Sequence, residues 1–242
     1  RVHLLQGRHH LCFRMPTLWH SVLPSFRPYH ISIRANPGGH VSEPLIGGNW
    51  KMYKDSAGTA SFFESFLPLV ERSGDCDIVI FPSFLDAETA VTATRGTAVC
   101  IGAQNLYWET EGAFTGEVSG PMIMASGCSH VLVGHSERRR DFGETNDDVL
   151  KKMVAALDTG LSPIVCVGER EKKNVNAVIT EQFRSAIGVR SETQFASIVM
   201  AYEPVWAIGA ASLDPASFAT LVNLDWDKER RGCLITRYPE CG

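Results

Sequence analysis

The feature that most constrains the fold is a repeat of short apolar runs, most of them followed by a stretch with helical spacing. The runs are Leu45-Ile46 leading to Asn49, Asp77–Phe81, Thr97–Ile101, His130–Val133, Pro163–Val167 and Ile198–Ala201. They are rich in β-branched and apolar residues without alternation, as in parallel strands covered on both faces. After the first run, Phe62, Phe63, Phe66, Leu67 and Val70 predict a helix, kinked or shortened at Pro68 and ending before Gly74. After the fourth, Thr145-Asn-Asp-Asp148 reads as a helix start, with Val149, Met153, Ala156 and Leu157 inward and Gly160 at the stop. After the fifth, Val175, Ile179, Phe183 and Ile187 repeat every four residues. Strand–helix repeats with short connections permit a (β/α) barrel or an open doubly wound sheet. No G-x-G-x-x-G follows the first run, which disfavours the dinucleotide-binding version and leaves the barrel as the expected architecture.

Length and charge fit that expectation. A chain of 242 residues suits one barrel domain, which typically uses about 250. A net charge of -4 argues against a general nucleic-acid binder. No apolar run approaches the roughly 20 residues of a membrane helix, so no membrane partner is expected. The seven cysteines are odd in number and form no C-x-x-C pair; Cys76, Cys100 and Cys166 lie in or beside apolar runs. That usage fits reduced thiols in a reducing, cytoplasmic setting, and no structural zinc is expected. Residues 1–43 stand apart: arginine-rich, without an acid before Glu43 and without period. They are expected to be a poorly ordered extension, with an organelle transit peptide as the alternative. Residues 44–224 are the expected barrel domain and 225–242 a divergent tail.

Polar residues gather just after the apolar runs. Asn49 and Lys51 follow the first, Gln104 and Asn105 the third, His135, Ser136 and Glu137 the fourth, Glu169 the fifth and Glu203 the sixth. Each alone has a mundane reading, as a solvated charge, a loop histidine or a helix cap. In a barrel, however, all lie at the C-terminal mouth, where the chemistry of such folds is found. A carboxylate, a hydrogen-bonding imidazole and a cation converging there suit proton abstraction beside a carbonyl: a base, a polarising donor and an offset for the oxyanion. The Pro204–Gly209 stretch after Glu203 reads as a loop able to close over them.

The motifs that carry a resemblance are Gly48-Asn-Trp-Lys-Met52, Ala103-Gln-Asn105, Gly112-Ala-Phe-Thr-Gly-Glu117, Val133-Gly-His-Ser-Glu-Arg-Arg139, Val165-Cys-Val-Gly-Glu169 and Ala201-Tyr-Glu-Pro-Val-Trp-Ala-Ile-Gly209. In this order they resemble the triosephosphate isomerase family over residues 44 to about 209. The resemblance implies a (β/α)8 TIM barrel and the interconversion of glyceraldehyde 3-phosphate and dihydroxyacetone phosphate through an enediolate. It implies no metal or organic cofactor. Glu203 is then the proton-shuttling base, and His135 the neutral electrophile for which this family is a standard example of environment-tuned acidity. Lys51 and Asn49 would attract the phosphorylated triose and stabilise the enediolate, Gly209 would contact substrate from the lid, and Ser136 and Glu137 would be supporting. The resemblance also implies a homodimer through the loop around residues 105–117.

After Gly209 the motifs stop, and Ala210-Ala-Ser-Leu213 stands where the family's lid hinge continues. Asp214 and Pro215 suit the start of another helix, and Cys233–Thr236 at best a stunted seventh strand. No glycine-rich strand end resembling the family's phosphate-gripping seventh and eighth units appears. The expectation is therefore an incomplete barrel of about six β/α units with exposed strand edges. A catalytically impaired scaffold is the alternative function.

Overall fold

The computed structural model describes residues 30–35, 41–71, 77–171, 174–188, 198–203, 205 and 233–236. Their strands are β1 (His30–Ala35), β2 (Val41–Asn49), β3 (Asp77–Phe81), β4 (Val99–Ala103), β5 (His130–Val133), β6 (Ser162–Val167), β7 (Val199–Tyr202) and β8 (Cys233–Thr236). The helices are α1 (Ser56–Val70), α2 (Ala87–Thr94), α3 (Gly120–Ala125), α4 (Ser136–Asp141), α5 (Asn146–Asp158) and α6 (Val175–Ile187), with a 3-10 turn at Phe84–Asp86. The six apolar runs of the sequence are β2 to β7, parallel and hydrogen-bonded in chain order. Helices cross between each consecutive pair of them, which is the expected alternation.

The pleat sorts each strand into two faces. Leu45, Val79, Phe81, Leu132, Ile164, Cys166, Val199 and Ala201 fill the barrel interior as one buried cluster. The intervening Ile78, Ile80, Val131, Val133, Val165, Met200 and Tyr202 face the helices and join Phe62, Phe63, Val149 and Met153 in a second. Both faces of β3 to β7 are largely dry, Cys100 of β4 being exposed, so these strands carry no polar alternation.

Closure differs from the open edge expected of six strands. β8 adds parallel to β7, pairing Met200 with Cys233 and Tyr202 with Ile235. β1 then runs antiparallel between β8 and β2, with His30 opposite Thr236 and Ser32 opposite both Leu234 and Leu45. The order is a closed ring, β1 to β8. Two segments read from sequence as extension and stunted strand thus occupy both edges, whose unpaired N–H and C=O groups are what an open sheet must satisfy. The register shifts between Ile33, opposite Pro44, and Ala35, opposite Val41.

Local signals mostly act as read. Thr145 and Asp148 cap α5 reciprocally as a capping box, and Gly160 (φ 83) ends it. Pro68 is the exception: α1 runs through it to Val70. Pro68 lies in the last turn on the solvent side, as does Glu64, whose carbonyl loses its helical partner and can bond water instead. The expected stop at Gly74, the helix from Asp214 and the remaining tail lie outside the described residues.

Candidate active site

The inner-face periodicity carries past the strand ends and selects which polar residues look into the mouth. Two residues beyond the interior Ala201 comes Glu203, and Asn49 pairs with the interior Phe81. Glu203 N–H donates to Val167 O at 2.7 Å and Val205 N–H to Glu169 O at 3.0 Å, so the ladder extends through the carboxylate position and fixes it. Glu203 is 1% exposed.

Lys51 reaches the mouth through a backbone irregularity. Trp50 is buried against Phe62 and Phe63, with ring centroids 5.0 and 5.7 Å away, and its N–H donates to Phe81 O. The chain must then turn sharply, and Lys51 adopts φ 53, a left-handed conformation costly for a side-chain-bearing residue. Two bonds hold it there: Lys51 N–H donates to Asn49 Oδ1 at 2.9 Å, and Gln104 Nε2 donates to Lys51 O at 2.8 Å. Gln104 also donates to Phe81 O at 2.9 Å, so one amide ties the loops after β2, β3 and β4. Lys51 Nζ lies 3.0 Å from Glu137 Oε1.

His135 sits at the start of α4, and Glu137 N–H donates to its Nδ1 at 3.3 Å. A backbone N–H can only donate, so Nδ1 presents its lone pair and the ring proton is on Nε2 in a neutral imidazole. With Nδ1 as acceptor, Glu137 Oε2 at 3.5 Å from it makes no second hydrogen bond. Nε2 faces Glu203 Oε2 at 3.4 Å. A donor and a buried carboxylate therefore confront each other across the mouth, close enough for a small carbonyl compound to touch both.

Beneath and beside them is a supporting layer. Tyr202 OH donates to both oxygens of the buried Glu169, at 3.0 and 3.1 Å. Glu169, placed by sequence at the mouth, thus belongs to the wall behind Glu203. A cavity of about 620 Å³ opens beside Glu203, lined among others by Ser136, Cys166, Glu169 and Val205. Ser136 Oγ is buried there with no hydrogen-bond partner among the described residues. Among the described residues no three His, Cys, Asp or Glu side chains are grouped as a metal site. Gly209 and the lid lie outside the described residues.

Burial, followed by the nearby Glu203 charge, pushes the Cys166 thiol well above its ordinary range, and burial raises Cys128 as well. The linkage sign follows directly. In the unfolded chain these thiols ionise above about pH 8.5, whereas in the folded chain they stay protonated. Their contribution is full below that pH and is lost as pH rises towards the folded value. Each thiol is expected to steepen the fall of unfolding free energy by about 1.4 kcal/mol per pH unit in that window. Urea melts at pH 7.5 and pH 10 should show a smaller pH loss for Cys166→Ala than for the unaltered chain; equal losses would contradict the assignment.

The sequence missed Glu144 and Lys152. Both are buried, and Glu144 Oε1 accepts the Gly134 N–H at 3.1 Å, one residue before His135. The available signal was Lys152 itself, a lysine on the same helical stripe as Val149, Met153 and Ala156.

The fold and site define an α/β-barrel enzyme whose carboxylate, neutral imidazole and lysine meet at the C-terminal mouth of the strands. A family model described as Triosephosphate isomerase matches residues 44–223. Curated relatives named Triosephosphate isomerase include one from Solibacter usitatus, 58% identical over 173 residues that make up 70% of this chain and 70% of the relative. Another from Citrifermentans bemidjiense is 44% identical over 72% of this chain and 70% of its own length, and one from Dictyoglomus thermophilum 45% identical over 68% of each. The chain belongs to the triosephosphate isomerase family. Among the described residues no helix is long and apolar enough to cross a membrane.

Proposed function

We propose that this chain interconverts glyceraldehyde 3-phosphate and dihydroxyacetone phosphate. The observation that carries the reading is the 3.4 Å approach of His135 Nε2 to Glu203 Oε2, with Lys51 set beside them through Glu137. Glu203 takes the proton from the carbon next to the carbonyl, and the C–H electron pair forms the C=C bond as the carbonyl pair moves onto oxygen. His135, donating from Nε2, stabilises that oxygen and passes protons between the two oxygens of the enediolate. Lys51 offsets the negative charge and, with Asn49, attracts the phosphorylated substrate. Glu203 then returns the proton to the neighbouring carbon, so no atom or electron is gained or lost. Ser136 and Glu137 support this set, and Gly209 would contact substrate from the lid. A coupled assay on the purified chain in each direction tests the proposal: turnover that disappears in Glu203→Gln supports it, and absence of turnover in the unaltered chain overturns it.

The same reading includes a homodimer and a cytoplasmic location. The free thiols of Cys100, Cys128 and Cys166 support the second. For the first, Tyr107 stacks on Trp108 at 4.2 Å and packs against a tilted Phe114 ring at 4.6 Å, stiffening an outlying loop. Met52, 95% exposed, adjoins Lys51 and offers an apolar socket for such a loop from a second copy. Met52→Glu would bury an unpaired charge there, costing about 3–5 kcal/mol and weakening dimerisation at least 100-fold. Sedimentation velocity decides it: a dimer that becomes monomeric in the variant is expected, and an unaltered chain that is already monomeric would refute the dimer.

A further inference from the structure

We propose that Glu144 and Lys152 are positioning residues that fix His135 relative to Lys51, an inference that rests on the isomerase reading above. A buried lysine–carboxylate pair is weak evidence for stability, because desolvating both charges offsets most of their attraction. What distinguishes this pair is where its other contacts go. Glu144 Oε1 takes the N–H of Gly134, immediately before His135, at 3.1 Å. Glu144 Oε2 takes Lys152 Nζ at 2.9 Å and Arg138 Nε at 3.2 Å. Lys152 Nζ also donates to Asn105 Oδ1 at 2.8 Å.

Asn105 directly follows Gln104, the amide that holds the carbonyl of Lys51. A line of hydrogen bonds and one covalent step therefore runs from the Lys51 carbonyl through Gln104, Asn105, Lys152 and Glu144 to the N–H of Gly134, one residue before His135. The two ends have need of such support. Lys51 is held at φ 53, costly for a residue with a side chain, and Gly134 at φ 72, which glycine adopts without strain but, being free to take many other conformations, keeps only if its neighbours fix it. The Gly134 carbonyl is gripped in turn by Arg139 Nε at 2.8 Å, so Glu144 and Arg139 hold the two polar groups of one residue. With the peptide before His135 fixed, the Nε2 proton stays directed at the mouth. Without it, a displacement of about 1 Å can cost on the order of 100-fold in rate.

Two variants and two readouts test this. Glu144→Gln keeps an acceptor for Gly134 but removes the charge that orders Lys152. Lys152→Met keeps the stem but removes its bonds to both Asn105 and Glu144, leaving Glu144 with Arg138 and Gly134. The expected result is a kcat lowered about 10- to 100-fold in each with KM changed less than 3-fold, and shifted 15N signals of the His135 ring in each. Folded variants with unchanged kcat and unchanged ring nitrogens overturn the proposal, as does a loss confined to melting temperature. If Glu144→Gln does not fold, Lys152→Met decides by the same criteria. Should the unaltered chain lack turnover, the isomerase reading fails, and the ring nitrogens of the two variants alone decide whether the line positions His135.

Discussion

Glu203→Gln is expected to lower kcat by about 10²–10⁴-fold, the contribution of a positioned general base, with KM little changed. Glutamine matches glutamate in size, so the buried wall of Cys166, Val167 and Glu169 around it need not move. The amide still places an oxygen or nitrogen opposite the His135 ring, but it cannot take a proton from carbon. Stability should hold or rise, because a carboxylate that is 1% exposed is costly to keep ionised and a neutral amide is less so. Melting the variant beside the parent separates lost chemistry from lost fold. A variant that keeps a tenth or more of the parental kcat would remove Glu203 from the role of base. Loss of both activity and cooperative melting would make it a structural residue instead.

The second large effect is on stability, for Gly134→Ala. Gly134 has φ 72, where a Cβ is strained, and the added atom would lie 2.9 Å from Val149 Cγ2, 3.0 Å from Arg139 Nη2 and 3.2 Å from Cys166 O. Val149 is fully buried in the packed stripe of α5, and Arg139 is committed to Gly134 O and Asn146 Oδ1. Neither can withdraw freely. Backbone strain and overpacking together should cost about 3 kcal/mol, which for a chain of this size lowers Tm by about 6–12 °C. Calorimetry checks it. The turn also aims His135, so isomerase activity should fall more than unfolding alone explains. A variant melting within 2 °C of the parent would mean that the turn relaxes at little cost, contrary to the packing around it.

Much of the site was legible because barrel chemistry follows a simple rule. Residues just beyond parallel strands share one mouth, so Asn49, Lys51, His135 and Glu203 group there by sequence position alone. The β-branched runs gave their strands to within about two residues at most ends, since burial on both faces leaves little choice of sequence. Thr145 and Asp148 wrote their helix start into a capping box, a contact between residues three apart. Signals of this kind are local, and local signals survive in a sequence.

The parts that were not legible depend on partners distant in the chain. Glu144 reads as an ordinary loop acid until its contacts with Gly134, Arg138 and Lys152 place it behind His135. Glu169 reads as a mouth residue until Tyr202, 33 positions away, takes its carboxylate into the wall. Pro68 reads as a break until the solvent side of α1 makes the lost bond cheap. The strands His30–Ala35 and Cys233–Thr236 carry weak periodicity, and what selects them is two open sheet edges that exist only once the other six strands have paired.

By itself, then, the sequence determined the six-strand α/β repeat, the family and the residue types at the mouth, because periodicity, caps and motifs are written in near neighbours. Only the tertiary structure decided how the sheet closes, which imidazole nitrogen carries the proton and which buried charges stand behind it. Those depend on hydrogen-bond partners brought together from separate strands, and no spacing along the chain encodes their distances.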